Sequence, residues 1–290
     1  MTARRNLWAG LAWTSPFLLG TVVFLLIPAA MSLYFSFTEY SLIEPPLFVG
    51  LDNYRHMARD GLFWRVVANT AAFALGSVIV GTPLAIGIAA LLEARVRGSS
   101  FVRAVVFFPT LVPIVAASIG WMWLYAGEHG LVNRLLALVG VRGRDWLNDP
   151  ATAMPALIAM SLWIIGSPVV IYGAAMRDVP RSLYEAADLD GMGPATRFCN
   201  VTLPMISPAV LFNVVVSIIW SLQVFAVPAI MTKGGPNEAT NVYALYVYRT
   251  AFDYAQMGYA SALAWVQLLI TLALALIVVL GARRFVHYRG

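Results

Sequence analysis

Charged residues come in clusters along this chain, and between the clusters run six stretches with no Asp, Glu, Lys or Arg: 6–38, 66–92, 104–127, 150–176, 198–232 and 254–282. Each is rich in Leu, Val, Ile, Ala and Phe. A helix needs about 20 apolar residues to cross a hydrocarbon core about 30 Å thick, and every stretch exceeds that. The pattern predicts six transmembrane helices, over residues 11–37, 66–92, 104–126, 152–176, 207–231 and 259–281. Pro83 predicts a kink in the second. Pro109 and Pro113 lie inside the third, where they free backbone carbonyls that neighbouring helices must satisfy. Gly166-Ser167-Pro168 predicts a break in the fourth. Between the first two spans, GLDNYRHMARDGLFWRVVANT at 50–70 carries Tyr54, Phe63 and Trp64, which suit a short amphipathic helix at headgroup level. Arg4-Arg5 before an apolar run also fits a cleavable signal peptide, but the run continues to Thr38, longer than a signal core, so it is read as the first helix. No internal repeat and no separate soluble domain is visible, and residues 1–290 read as one transmembrane domain.

Composition agrees with a bilayer environment. The chain has 290 residues, 60% hydrophobic and 11% charged, with a mean hydropathy of +0.78. A soluble domain is about 25% charged, so these charges are too few to coat a globule. The net charge of +5 rests on one lysine, Lys233, and many arginines, and their distribution speaks against a nucleic-acid partner. With the N-terminus placed in the cytoplasm, the inner segments hold Arg4, Arg5, Arg95, Arg97, Arg103, Arg177, Arg181, Arg197, Arg283, Arg284 and Arg289. The longer outer segments hold Arg55, Arg59, Arg65, Arg134, Arg142, Arg144, Lys233 and Arg249. This is the positive-inside bias, and six crossings then put both termini in the cytoplasm. Cys199 is alone, which excludes an intramolecular disulfide and a cysteine metal cluster.

One polar loop interrupts this pattern, EAADLDGMGPATRFCNVTLP at 185–204. From Arg181 it reads as helix, turn, helix. Ala and Glu favour the first helix, and Leu183, Ala186, Ala187 and Leu189 give it a modest apolar face. Gly191 and Gly193 end it, and Pro194 suits the first turn of the second helix, on which Phe198 and Val201 sit three apart. Glu185, Asp188 and Asp190 offer carboxylates to a basic partner, while Ala186, Ala187 and Gly191 let another surface approach. On physical grounds alone a solvated cytoplasmic hairpin is an equal reading.

The loop resembles the EAA motif of the membrane subunits of binding-protein-dependent ABC importers: EAA, three residues, G, nine residues, I, one residue, LP. Glu185-Ala186-Ala187, Gly191 and Leu203-Pro204 keep every spacing, and Val201 replaces the isoleucine. GLDNY at 50–54, LPxxxP at 203–208, GGPNEAT at 234–240 and YRTAFDYAQMGYASAL at 248–263 are similar to the carbohydrate-uptake branch, in its maltose-type first permease. The resemblance implies an all-α, six-helix type I ABC importer permease in a bacterial plasma membrane. It implies a second homologous permease, two ATPase subunits and an extracytoplasmic solute-binding protein as partners. It also implies that Glu185, Ala186, Ala187, Asp190, Gly191, Leu203 and Pro204 seat in a groove of the ATPase. ATP binding there would drag the loop and rock the helices between inward-open and outward-open states.

No catalytic constellation is visible. His56, His129 and His287 lie in three separate loops or tails. A phosphate-binding loop needs GxxxxGK followed by Ser or Thr, and the single lysine, Lys233, is followed by Gly234. The chain is therefore not expected to be an enzyme or to carry a cofactor, and ATP and Mg are expected on a partner ATPase. On the fifth helix Asn213, Ser217, Trp220, Ser221 and Val224 share one face, with Gln223 beside it. Aromatic area with amides and hydroxyls suits a sugar. In the resembled family this stretch and the helix before the loop hold the cargo, which adds Trp163 and Ser167 to the expected path. Ordinary interhelical packing is the alternative for each of these residues. Trp121 and Trp123 are expected as interfacial anchors. No ionisable group lies deep in any stretch, which disfavours the competing class, an ion- or proton-coupled secondary carrier, and slightly favours a neutral sugar over a phosphorylated solute.

Overall fold

The computed structural model describes residues 2–93, 98–127 and 129–282. Arg95, Arg97, Arg283, Arg284, Arg289 and His287, weighed above, lie outside the described residues. Among the described residues the chain is built of helices with one small hairpin. In order they are α1 (Thr2–Thr21), a π-helical turn at Val22–Leu26, α2 (Ile27–Phe35), the strand pair β1 (Thr38–Glu39) and β2 (Leu47–Phe48), α3 (Asp52–Arg59), α4 (Gly61–Glu93), α5 (Ser99–Phe107), α6 (Ile114–Leu124), α7 (Leu131–Leu138), α8 (Pro150–Leu162), α9 (Gly166–Arg177), α10 (Arg181–Leu189), α11 (Pro194–Arg197), α12 (Leu203–Met205), α13 (Ser207–Leu222), α14 (Ala226–Met231), α15 (Tyr243–Tyr248) and α16 (Met257–Ala282).

Four helical runs are long and apolar enough to cross a bilayer: Gly10–Phe35, Gly61–Glu93, Ser207–Met231 and Met257–Ala282. Two bent pairs, Ser100–Leu111 with Ile114–Leu124 at 102° and Pro150–Leu162 with Gly166–Arg177 at 47°, bring the number to six if each pair is one span. The sharper bend departs from the single helix over 104–126 that the sequence predicts, with Pro109 and Pro113 inside it. Pro113 pushes Val112 out of the helical region, to φ −76° and ψ 128° by the cap geometry at that break. Pro109 sits in a single 3-10 turn, Phe108–Leu111. The prolines thus end one helix and start another. In the fourth span the break falls at Trp163–Ile165, and Gly166-Ser167-Pro168 forms the first turn of α9 rather than the break itself. Asp149 caps α8, its side chain accepting from the Ala151 N–H at 2.9 Å. α4 runs unbroken through Pro83, and it also absorbs Phe63 and Trp64, so the short helix α3 ends before them.

The chain packs as two compact units, residues 1–60 with 247–269 and residues 61–246 with 270–290. In the first, the GLDNY motif locks the end of α2. Asn53 donates to the Ser36 and Thr38 carbonyls, both at 2.9 Å, and the Tyr54 hydroxyl bonds the Ser36 hydroxyl at 2.7 Å. Gly258 donates its N–H to the Tyr40 carbonyl at 3.1 Å.

The second unit is organised on α4, which packs against α8, α9 and α13. One core joins Phe73 to Leu157, Met160, Val227, Met231 and Val242. The other joins Ala85, Ile86 and Ala89 to Val169, Tyr172 and Ile206. Gly81 lets α4 approach α8, since a Cβ there would stand 3.3 Å from Leu162. Small residues serve this purpose where the solvent is hydrocarbon and packing carries the association. The GGPNEAT loop folds back on α4: Asn69 donates to the Glu238 and Asn241 carbonyls at 2.7 and 3.0 Å, and Thr70 accepts from the Tyr243 N–H at 2.8 Å. Burial, with Tyr246 adding to it, pushes the Tyr243 phenol well above its ordinary pKa, so it stays neutral.

Candidate functional site

The polar loop forms a closed hairpin. α10 ends in a Schellman motif: Met192 N–H bonds the Ala187 carbonyl at 2.9 Å and Gly191 N–H bonds the Asp188 carbonyl at 3.1 Å. Gly191 takes φ +69°, a left-handed conformation that glycine adopts without strain. Pro194 opens α11, and the helical path continues through a π turn at Phe198–Thr202 into α12. Side chains then tie the return limb to α10. Arg197 pairs with Asp188 at 2.7 Å, its guanidinium lies 5.6 Å from the Tyr184 ring centre, and the Tyr184 and Thr202 hydroxyls are 3.0 Å apart. Phe198 and Val201 pack on the core around Ile206, which anchors the hairpin to α9 and the start of α13.

This divides the predicted contact residues. Glu185, Ala186, Asp190, Gly191 and Leu203 are exposed and Pro204 is half-buried. Ala187, at 2% exposure, faces the chain's own packing. Asp188, offered by the sequence as a free carboxylate, is committed to Arg197. Leu189 belongs to no apolar face and is 90% exposed.

The predicted substrate-path residues fall into two groups. On α13, Asn213 and Ser221 are buried and bond their own helix: Asn213 donates to the Ala209 carbonyl at 3.0 Å and Ser221 to the Ser217 carbonyl at 2.6 Å. Ser217 is half-buried, Gln223 is exposed and Trp220 projects, 75% exposed. Ser167 is exposed. Trp163 turns toward the third span, where its ring meets Trp121 edge-on at 6.1 Å. The two tryptophans, with Val112, Ala116, Gly120 and Leu124, line an open apolar cleft of about 360 Å³. Of the two tryptophans expected as anchors, Trp121 is half-buried and packs against Tyr125 at 5.2 Å, and Trp123 is 77% exposed. The sequence did not single out Gly120 or this pairing, because it joins side chains of two different spans. Among the described residues no cluster of His, Cys, Asp and Glu could hold a metal.

Known proteins place this geometry. The model of the binding-protein-dependent transport system inner membrane component family matches residues 81–287. A probable ABC transporter permease protein of Bacillus subtilis (strain 168), YesP, is 36% identical over 292 residues, covering 99% of this chain and 94% of the relative. The sulfoquinovosyl glycerol transport system permease protein SmoG of Agrobacterium fabrum is 33% identical over 240 residues, covering 82% of this chain and 78% of that protein. Among solved structures, a bacterial alginate ABC transporter in complex with an alginate pentasaccharide-bound periplasmic protein superposes with a TM-score of 0.85 at 22% identity, over 98% of this chain and 96% of the other. The fold, the spans and the family match agree, and the chain belongs to the binding-protein-dependent transport system inner membrane components, as a multi-pass ABC transporter permease rather than an enzyme.

Proposed function

We propose that this permease imports a neutral sugar-like solute, delivered by an extracytoplasmic binding protein, and that a separate ATPase drives it by docking on the 181–204 hairpin. The observation that carries the docking role is the hairpin's own architecture. Asp188, Arg197, Tyr184 and Thr202 lock its limbs to each other, so it can transmit a push as a unit, while Glu185, Ala186 and Asp190 stay open for a partner. Both termini lie on the hairpin's side of the membrane, residues 1–290 act as one transmembrane domain beside a second homologous permease, and ATP and Mg bind the ATPase. The carbohydrate class is supported by relatives such as the sulfoquinovosyl glycerol permease, whose own cargo is a sulfonated sugar; the neutral charge is inferred separately, from the uncharged polar and aromatic character of the candidate path. Trp220, Ser217 and Gln223 are its open positions on α13, and Trp163 its contribution from the fourth span. ATP binding would shift the equilibrium between two exposures of that path. The test replaces Glu185 by Ala and Gly191 by Val and measures ATPase co-purification and solute uptake together. Normal assembly with normal ATP-dependent uptake contradicts the docking role, and uptake without any ATPase supports a secondary carrier instead. Identifying the ligand on the partner binding protein tests the cargo class separately.

A further inference from the structure

The ends of α4 and α9 and the start of α5 bring three charged side chains together. The Glu93 Oε1 atom accepts from Arg177 at 3.0 Å and lies 3.0 Å from Arg103 Nη2 as an ion pair. Arg103 also donates to the Leu92 carbonyl at 3.0 Å, one of the carbonyls a helix leaves open at its C-terminus. Two guanidinium groups against one carboxylate leave the cluster with a surplus positive charge. Its Arg103 Nε–H is buried and has no acceptor among the described residues. A buried donor without an acceptor bears the full cost of its dehydration, and more so when it belongs to a charged group. These groups line a cavity of about 110 Å³, with Val106, Val169 and Gly173 as its other walls. Gly173 keeps it open, since a Cβ there would stand 2.9 Å from Glu93 Oε1. Arg177 is half exposed. Val170, which also lines the cavity, is 45% exposed, and on the helices that supply its other walls Leu91, Phe101 and Val105 are 71%, 73% and 54% exposed.

We propose that this cleft binds the phosphate of an anionic phospholipid. A tetrahedral oxyanion supplies what the site lacks, an acceptor for the Arg103 Nε–H, and it balances the surplus charge. Guanidinium groups suit phosphate because their planar N–H forks address two oxygens at once. The exposed apolar rim selects a lipid over a free ion, because acyl chains can lie along it while the headgroup enters between the helix ends. Glu93 opposes the anion, so removing its charge should not weaken binding, which distinguishes the site from a simple ion-pair latch. The role is independent of whether the hairpin docks an ATPase.

The test is native mass spectrometry of the full chain released from phosphatidylcholine nanodiscs doped with phosphatidylglycerol. Wild type is expected to retain phosphatidylglycerol in preference to phosphatidylcholine. Retention is expected to fall roughly tenfold or more in Arg103→Gln and Arg177→Gln, as loss of one charge-assisted hydrogen bond implies, and to hold or rise in Glu93→Gln. If Arg103→Gln does not fold, Arg177→Gln and Glu93→Gln decide. Equal retention in wild type and the arginine variants overturns the proposal, as does a loss of retention in Glu93→Gln, which marks a latch. Displacement of the retained lipid by millimolar inorganic phosphate overturns the lipid assignment in favour of a free anion.

Discussion

Replacing Gly166 by alanine is expected to loosen the seat of α9 against the third span. The new methyl group would stand 2.6 Å from the Val106 carbonyl oxygen, 2.9 Å from Phe107 Cα and 2.9 Å from Thr110 Cγ2. Two of these atoms are backbone, so no rotamer change relieves the contact and the helices must part by several tenths of an ångström. Overpacking of this kind costs about 1–3 kcal/mol, which lowers the folded-to-unfolded ratio by roughly fivefold to more than a hundredfold. Gly87, on α4, is the internal control. It is exposed, and nothing lies within 4 Å of where its Cβ would stand, so alanine there gains up to about 1 kcal/mol of helix propensity. Equilibrium unfolding of the detergent-solubilised permease should therefore move in opposite directions for the two variants. A Gly166→Ala protein as stable as wild type would refute the claim that backbone contact at this break holds the third and fourth spans together.

Other substitutions probe separate parts of the account. Asn69→Ala removes the donor to the Glu238 and Asn241 carbonyls and should cost about 1–3 kcal/mol; faster proteolysis within 233–240 would report it, and an unchanged cleavage rate would count against the anchoring. Asp149→Ala removes the cap of α8 and should lower stability by about 0.5–2 kcal/mol, with Asp149→Asn close to wild type; equal losses in both would show that capping is not the cause. Trp220→Ala should leave stability within about 0.5 kcal/mol, because the side chain is 75% exposed, yet it should raise the KM for uptake. Unchanged uptake would remove Trp220 from the substrate path.

The spans and the hairpin were legible in the sequence for different reasons. A bilayer forbids unpaired backbone polar groups, so uninterrupted apolar stretches translate directly into helices. The hairpin was legible because its turn is written in Gly191 and Pro194, which act locally. What the sequence withheld depends on contacts between distant positions. Pro83 is carried inside α4 while Pro113 ends up between two helices, a difference the residue type alone does not specify. Trp121 and Trp163 belong to different spans, so their meeting is not written in local sequence. Ala187 faces inward and Asp188 is taken by Arg197 because the return limb folds back onto α10, which spacing alone does not specify. The GLDNY and GGPNEAT motifs, noticed as marks of resemblance, turn out to be structural: Asn53, Tyr54 and the loop around Glu238 hold connections in place.

The central claim is that the exposed rim of the 181–204 hairpin is the seat of the ATPase. The direct measurement is site-specific cross-linking in the assembled transporter, with Cys199→Ser as background and single cysteines introduced at Ala186 and, as control, at Ile43, which is 89% exposed in a loop expected on the opposite side of the membrane. A cross-link to the ATPase from position 186 and none from position 43 is the predicted result. An ATPase that co-purifies yet forms no cross-link from position 186, or forms one from position 43, would contradict the account.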